Sequence, residues 1–220
     1  MPHRPRKIDE SIAAQGQAVD ALAEVPLQSR LVYGGGLLQV YRDIVRCPDG
    51  HVTYREFVRH PGAVMVIPML DDELVILERQ FRYPLARVFI EFPAGKLESG
   101  EAIIDCAQRE LLEETGYRAR DWTYLGGFHN AIGYSDERIE VFLAGSLEQD
   151  AARRDPGEVL EVFSVPWREL DSWVREGQIT DVKTIVGVYW MERILTGRWS
   201  PPSPMQSEPA DAGKATGASL

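Results

Sequence analysis

Three glutamates near the middle of the chain have a spacing that could bind cations. Glu110, Glu113 and Glu114 stand at i, i+3 and i+4, so in a helix their side chains neighbour one another. Grouped carboxylates repel each other and are costly to remove from water without a cation. Their oxygens are ligands that hard divalent ions such as Mg²⁺ prefer. The alternative is an ordinary helix with an exposed, Glu-rich face.

The position of the apolar residues on the same helix favours the cation site. At ~100° per residue, Glu110 and Glu114 project within about 20° of Ile103. They therefore lie beside the apolar stripe and not opposite it, where a solvated face would be expected. That stripe consists of Ile103, Ile104, Ala107 and Leu111. Arg109 supplies one positive charge, four residues before Glu113, which leaves a negative excess for a divalent ion to neutralise.

The elements around this helix predict an α/β/α sandwich around a mixed sheet. Gly95 ends a strand, a helix covers 101–115, and Gly116 stops it. Runs 37–46 and 51–58 flank a turn, and runs 63–69 and 74–80 read as a second hairpin. Further strands are expected at 88–92 and near 122–129, 138–145 and 158–165. Two helical stretches follow, and the last has an expected core-facing stripe of Val182, Ile185, Val186, Tyr189 and Trp190.

Composition restricts the class of protein. The chain has 220 residues, of which 44% are hydrophobic and 26% charged, as expected for one globular domain with extensions. The net charge of −10 repels phosphate backbones, so a nucleic-acid partner is disfavoured. No apolar run approaches the ~20 residues that span a bilayer, and no secretory signal is apparent. Two cysteines, Cys47 and Cys106, form no disulfide framework. We therefore expect a cytoplasmic protein without a membrane partner.

The helix and its flanks match a known motif. The pattern Gly-x5-Glu-x7-Arg-Glu-apolar-x-Glu-Glu-x-Gly-apolar of the Nudix box is met by Gly95, Glu101, Arg109, Glu110, Leu111, Glu113, Glu114, Gly116 and Tyr117. The chain thus resembles Nudix hydrolases, whose fold agrees with the sandwich. The resemblance implies that the three glutamates hold Mg²⁺, or Mn²⁺ in its place. It also implies that the backbone carbonyl of Ala94 is a further ligand, that Arg109 orients the glutamates and that Glu101 belongs to the same network.

Text outside the box resembles one group of this family. REFVRHPGAVMVIP, ERQFRYP and IEFPAGKLE are similar to ADP-ribose pyrophosphatases, which implies cleavage of ADP-ribose to AMP and ribose 5-phosphate. The substrate-binding residues expected from this resemblance are Arg59, Arg82, Glu91, Leu97, Gly133 and Tyr54. Arg59 and Arg82 would contact the pyrophosphate or terminal ribose, and Glu91 would accept hydrogen bonds from the ligand. Tyr54 would stack on adenine, or else be a cross-strand aromatic of a hairpin.

The same resemblance implies a domain plan and a homodimer. Residues 1–58 form an amino-terminal β-rich region whose strands reach over a partner, 59–199 form the Nudix domain, and the Pro-rich tail 200–220 is expected to be disordered.

Two downstream loops offer a general base. Glu158 is the first choice because family members often place a mobile glutamate there. Glu137 is an alternative more suited to ligand contact, and Asp155 is a third.

One departure leaves the substrate open. The ADP-ribose group usually has Pro-Gly in the loop after the box, where this chain has Ile132-Gly133. GDP-mannose and ADP-glucose therefore stay as alternative substrates, as does an mRNA- or dNTP-directed Nudix enzyme. A different class is a nucleotide-binding Nudix module that cleaves nothing, although such relatives tend to lose box glutamates.

Overall fold

The computed structural model describes residues 20–153, 157 and 159–200. Glu158, Asp155, residues 1–19 and the tail beyond Ser200 lie outside these ranges. The chain divides into two compact units. The first comprises the chain up to His60 together with Ala131–Glu137, and the second comprises Pro61–Asn130 and the chain from Arg138 onward.

The described part of the first unit contains an antiparallel three-stranded sheet. Its strands are β1 (Val25–Gly34), β2 (Gln39–Arg46) and β3 (Val52–Arg59), in the order β1-β2-β3. The predicted hairpin of 37–46 and 51–58 is confirmed by the β2–β3 ladder. Its turn is closed by Asp49, whose carboxylate accepts a hydrogen bond from the His51 amide at 2.9 Å. The loop of 131–137 joins this unit through a bridge between Val58 and Ser135.

In its described residues, the second unit has two sheets and three α-helices. An antiparallel sheet has the order β10-β5-β6, and a mixed sheet has the order β7-β4-β9-β8, in which only β4 and β9 run parallel. The elements, in chain order, are β4 (Ala63–Pro68), β5 (Leu74–Arg82), β6 (Arg87–Glu91), β7 (Ala94–Lys96), α1 (Ile103–Glu110), β8 (Tyr117–His129), β9 (Arg138–Gln149), β10 (Leu160–Pro166), α2 (Leu170–Arg175) and α3 (Val182–Leu195).

Strand β4 explains the layers of this unit. Successive strand side chains point to opposite faces, and every residue of β4 is buried. Val64 and Val66 pack with Ala107 and Leu111 from the helical segment that carries the glutamates. Met65 and Ile67 belong to the other core cluster, which includes residues of α2 and α3. The mixed sheet therefore has helices on both faces, and the predicted α/β/α sandwich is confirmed.

The predicted second hairpin is wrong. Strands β4 and β5 follow each other along the chain but belong to different sheets, and one bridge between Met69 and Val75 joins their ends. The physical reason is that β4 already pairs with β7 along one edge and with β9 along the other, so it has no edge left for β5. Two short apolar runs around an Asp-Asp turn do not distinguish a hairpin from a crossing between sheets.

The buried face of α3 also differs from expectation. The buried face of α3 consists of Thr184, Gly187, Val188 and Met191, whereas Val182 and Tyr189 of the predicted stripe are exposed. This helix is apolar around most of its circumference, so its periodicity does not define one face. Gly187 allows close packing, because a methyl group there would lie 2.8 Å from the Met65 Cε atom.

Among the described residues, no helix has the length and apolar character needed to cross a membrane.

Candidate active site

The glutamate-bearing helix is not α-helical to its end. Helix α1 begins at Ile103, two residues later than predicted, and after Glu110 the chain continues as a π-helical turn, Leu111–Thr115. In a π-helix the hydrogen bonds join residues five positions apart, so each turn contains more residues than an α-helical turn. Such turns are frequent at functional sites. Gly116 ends the segment in a left-handed conformation with φ of 74°. Glu110 is thus α-helical, while Glu113 and Glu114 lie on the wider turn.

Arg109 connects three of the predicted acidic residues. Its guanidinium donates to both carboxylate oxygens of Glu101, from Nε at 2.8 Å and from Nη2 at 2.9 Å. Its Nη1 donates to Glu110 at 2.7 Å and to Glu113 at 3.1 Å. The bidentate pair fixes the plane of the guanidinium, and this plane then sets where the other two carboxylates lie.

Glu114 is held by a different group. Its residue is 3% exposed, and its Oε2 accepts a hydrogen bond from the Ala94 amide at 2.9 Å. The next residue, Gly95, lies against Glu110, so that a methyl group at Gly95 would overlap the Glu110 carboxylate. The end of the Phe92–Gly95 segment therefore contacts two box glutamates, one through a backbone amide and one through a bare Cα atom.

The electrostatics of the box follow from these contacts. Hydrogen bonds from Arg109 lower the pKa of Glu101 to about 2, against the smaller opposing effect of burial. The same pairing raises the pKa of Arg109. Burial raises the pKa of the neighbouring Cys106 thiol to about 12, and Glu101 adds to this shift, so Cys106 is an unreactive core residue.

The donor set fits a hard divalent cation. Glu101, Glu110, Glu113 and Glu114 bring four carboxylates into a region where Arg109 is the cation that binds three of them. Oxygen-only ligands with excess negative charge suit Mg²⁺. Within the described residues, however, no three His, Cys, Asp or Glu side chains already form a metal-binding cluster. Binding would thus require rotation of carboxylates that now contact Arg109 or the Ala94 amide.

A second charged cluster lies at the end of the β5–β6 pair. Arg82 donates from Nε and Nη2 to the two oxygens of Glu91, each at 2.8 Å, and Lys183 also donates to Glu91. The pKa of Arg82 is raised, first by the hydrogen bonds to Glu91 and also by the charges of Glu78 and Glu114. Glu91 lies three residues before Ala94, whose amide binds Glu114, so this cluster is next to the box.

Sequence reasoning missed Glu78 and Lys183. Glu78 is 1% exposed and is the register partner of Glu91, so both side chains project from the same face of the β5–β6 pair. A charge inside the apolar run LVILERQ was a signal for a special role. Lys183 had no comparable signal, because its contact with Glu91 spans 92 residues of chain.

The other expected substrate residues are placed as follows. In the second unit, Leu97 is half-buried and packs against the core cluster of α1. In the first unit, the Arg59 guanidinium lies 4.3 Å from the Tyr41 ring centre. Tyr54 is exposed there, with the Arg42 guanidinium 4.9 Å from its ring centre.

The loop of 131–137 carries two further expected residues. Gly133 lines a pocket of the first unit together with Phe57 and Tyr134. Glu137 lies 3.5 Å from the His60 Nδ1 atom. The structure therefore brings together the box residues, Ala94, Arg82 and Glu91 in the second unit, while the roles of all the expected residues stay predictions. Glu158 lies outside the described residues.

Comparison with known proteins identifies the family. The Nudix domain model matches residues 59–184. The chain belongs to the Nudix family. It is 36% identical to the ADP-ribose pyrophosphatase of Bacillus subtilis over 174 residues, which is 78% of this chain and 94% of that protein. It is 34% identical to the methanol dehydrogenase activator of Bacillus methanolicus, over 77% of this chain and 92% of that protein.

The Nudix fold is confirmed by a solved structure. The crystal structure of an ADP compounds hydrolase superposes with a TM-score of 0.73 at 23% identity, covering 80% of this chain and 95% of that chain. The predicted resemblance to Nudix hydrolases of the ADP-ribose pyrophosphatase group is therefore confirmed. The spacing of the box alone was sufficient to identify the family.

The low pKa of Glu101 predicts how the stability of this Nudix protein depends on pH. A carboxylate whose pKa is lowered on folding stabilises the native state above its unfolded pKa of about 4.5, and this contribution is lost as the pH falls toward about 2. Glu101→Gln should therefore reduce the free energy of unfolding more at pH 6 than at pH 3, as measured by urea denaturation. The exposed Glu161→Gln serves as the control, and an equal loss at both pH values would contradict the prediction.

Proposed function

We propose that this protein hydrolyses the pyrophosphate bond of ADP-ribose to AMP and ribose 5-phosphate. Two findings support pyrophosphohydrolase activity: the chain belongs to the Nudix family, and it is 36% identical in sequence to the ADP-ribose pyrophosphatase of Bacillus subtilis. The observation that carries the proposal is the placement of Arg82. Its side chain is 42% exposed, both oxygens of Glu91 hold its guanidinium, and Glu91 lies three residues before Ala94, whose amide binds Glu114. A half-exposed guanidinium beside a cation-binding box is suited to bind the anion on which that cation acts.

The metal site proposed for this reaction uses the box. Glu110, Glu113, Glu114 and the backbone carbonyl of Ala94 would hold Mg²⁺, with Mn²⁺ as a substitute. When bound, the ions spread the pyrophosphate charge and activate the attacking water. Arg109 keeps Glu101, Glu110 and Glu113 together before the metal binds, which reduces the repulsion between them. Divalent ions also allow a chain of net charge −10 to bind an anionic substrate.

Substrate contacts are proposed residue by residue, from the resemblance to ADP-ribose pyrophosphatases. Arg82 would bind the pyrophosphate or terminal ribose through guanidinium hydrogens that Glu91 does not use. For Arg59, Leu97 and Gly133 we propose contacts with the ligand, and for Tyr54 we propose stacking on adenine. Glu158 would act as general base and Glu137 as a ligand contact. A cytoplasmic location stays a prediction.

We also propose that the protein is a homodimer. Strand β1 is an edge strand of the first unit, and its apolar side chains are largely in solvent, including Leu31 at 49% and Tyr33 at 59% exposure. An exposed apolar edge strand invites pairing with another chain. A second copy of the first unit would cover these side chains.

The main test of the proposal is the effect of Glu114→Gln on the hydrolysis of ADP-ribose. Glu114→Gln keeps an oxygen that can accept the Ala94 amide, so folding should be retained, but it removes a metal-binding charge. AMP release from ADP-ribose with Mg²⁺ should fall at least ~100-fold. EDTA should abolish release by the native protein, and Glu148→Gln, at an exposed carboxylate of β9, should leave it unchanged. Full activity of Glu114→Gln would end the proposal.

Substrate choice is decided by offering several nucleoside diphosphate sugars. ADP-ribose should give the highest kcat/KM in a panel with GDP-mannose and ADP-glucose. A higher value for either rival would assign that substrate instead. Tight binding of ADP-ribose, with the ligand intact after long incubation with Mg²⁺, would support a binding module without catalysis.

The roles proposed for Glu158 and Glu137 predict different kinetic effects. Glu158→Gln should lower kcat by about 10²–10⁴-fold, the usual contribution of general base catalysis, with a small change in KM. Glu137→Gln should mainly raise KM, because it would remove a ligand contact. Stopped assays across a range of ADP-ribose concentrations separate the two parameters. A large loss of kcat for Glu137→Gln alone would transfer the role of base to Glu137.

Light scattering tests the dimer. The native protein should show twice the mass of one 24.8 kDa chain. Leu31→Glu should shift it to a monomer, because it places a charge in the apolar face of β1. Leu22→Glu is the matched control, since Leu22 is 82% exposed and precedes the strand. A native monomer at micromolar concentration would contradict the proposal.

A further inference from the structure

Outside the Nudix box, one half-buried cation connects a helix terminus to the proposed substrate arginine. Lys183 is the second residue of α3, and its side chain is 12% exposed. Its Nζ atom donates to Glu91 Oε2 and, at 3.0 Å, to Asp181 Oδ2. A lysine is rarely buried unless it is paired, and here it is paired with two carboxylates.

Both carboxylates that bind Lys183 belong to backbone segments that are held by Thr184. Asp181 caps α3, because its Oδ2 accepts the Thr184 amide at 3.0 Å and the Thr184 hydroxyl at 2.7 Å. The Thr184 hydroxyl oxygen in turn accepts the Phe92 amide at 3.2 Å. Phe92 directly follows Glu91, so the same threonine connects the helix cap to the end of β6. Lys183 is therefore held between an aspartate and a glutamate whose backbones are both fixed.

Glu91 depends on both of its cations. Its side chain is 3% exposed. Burial alone would raise the pKa of Glu91, but the hydrogen bonds from Arg82, with the charge and hydrogen bond of Lys183, outweigh burial and lower it. Arg82 is much more exposed than Lys183 and can be drawn to a ligand. Lys183 thus keeps Glu91 ionised and in place, and Glu91 holds the plane of the Arg82 guanidinium.

We propose that Lys183 is a positioning residue, which orients Arg82 for the substrate pyrophosphate through the shared carboxylate of Glu91. The inference rests on the proposed function, because it assigns the anion contact to Arg82. Without Lys183, the Glu91 carboxylate would keep only Arg82 as its cation, while Asp181 would face it with no charge between them. The guanidinium would then sample several orientations, and substrate binding would bear the cost of ordering it.

The first measurement needs no substrate. In the native protein, the Arg82 Nε–H group should exchange slowly in nitrogen-15 NMR spectra, because Glu91 holds it. Lys183→Met should accelerate that exchange at least tenfold. The matched control is Arg193→Met, which removes an exposed cation from the same helix. Unchanged exchange in a folded Lys183→Met protein would overturn the proposal.

The second measurement asks whether Lys183 acts through Arg82. The Kd of ADP-ribose is measured by calorimetry in EDTA, where no turnover occurs. Lys183→Met should weaken binding on the order of tenfold, while kcat with Mg²⁺ stays within about threefold. In an Arg82→Met background the same change should alter Kd less than twofold. Additive effects of the two substitutions would overturn the proposal, since they would mean that Lys183 acts independently.

A second variant guards against loss of folding. Asp181→Asn keeps a good helix cap but removes the charge that anchors Lys183. It should accelerate exchange of the Arg82 Nε–H group less than Lys183→Met does, and native behaviour would contradict the proposal. If the native protein releases no AMP from ADP-ribose but Lys183→Met still mobilises Arg82, the proposed function fails and the positioning role stands.

Discussion

The cost of burying carboxylates governs this part of the second unit. Glu78, Glu91 and Glu114 are each at most 3% exposed, and an isolated buried carboxylate is strongly unfavourable. The cations that stabilise this region therefore have defined positions: Arg109 contacts the exposed side of the box, and Arg82 and Lys183 share Glu91. Since these positions follow from charge balance, the same ion pairs that stabilise the fold also place the groups proposed to bind metal and substrate.

The residues of the box could be predicted from sequence because their geometry is local. Arg109, Glu110 and Glu113 belong to one helical segment, so their spacing alone placed them together, and the structure shows Arg109 bound to both glutamates. The β2–β3 hairpin was predictable for the same reason, since its turn is coded by Pro48, Asp49 and Gly50. Their geometry requires no knowledge of distant parts of the chain.

What could not be predicted depends on distant contacts. The pairing of β4 with β9, across more than seventy residues, determines that β5 joins another sheet, and no local pattern encodes this choice. The buried face of α3 is likewise selected by the sheet it covers. Lys183 is an unremarkable lysine until the fold brings Glu91 to it. The sequence thus predicted the charged residues that lie together on one helical segment. It did not predict the contacts that distant strands and helices make with this region.

The π-helical turn at Leu111–Thr115 makes the site sensitive to chain length as well as to composition. Loss of a single residue before Glu113 would change the angle between its carboxylate and that of Glu110, because each residue of a helix adds a rotation about the axis. All the acidic groups would survive, yet they would no longer have their present arrangement around Arg109. Insertions and deletions in this turn should therefore be tolerated far less than substitutions of its apolar residues by others of similar size.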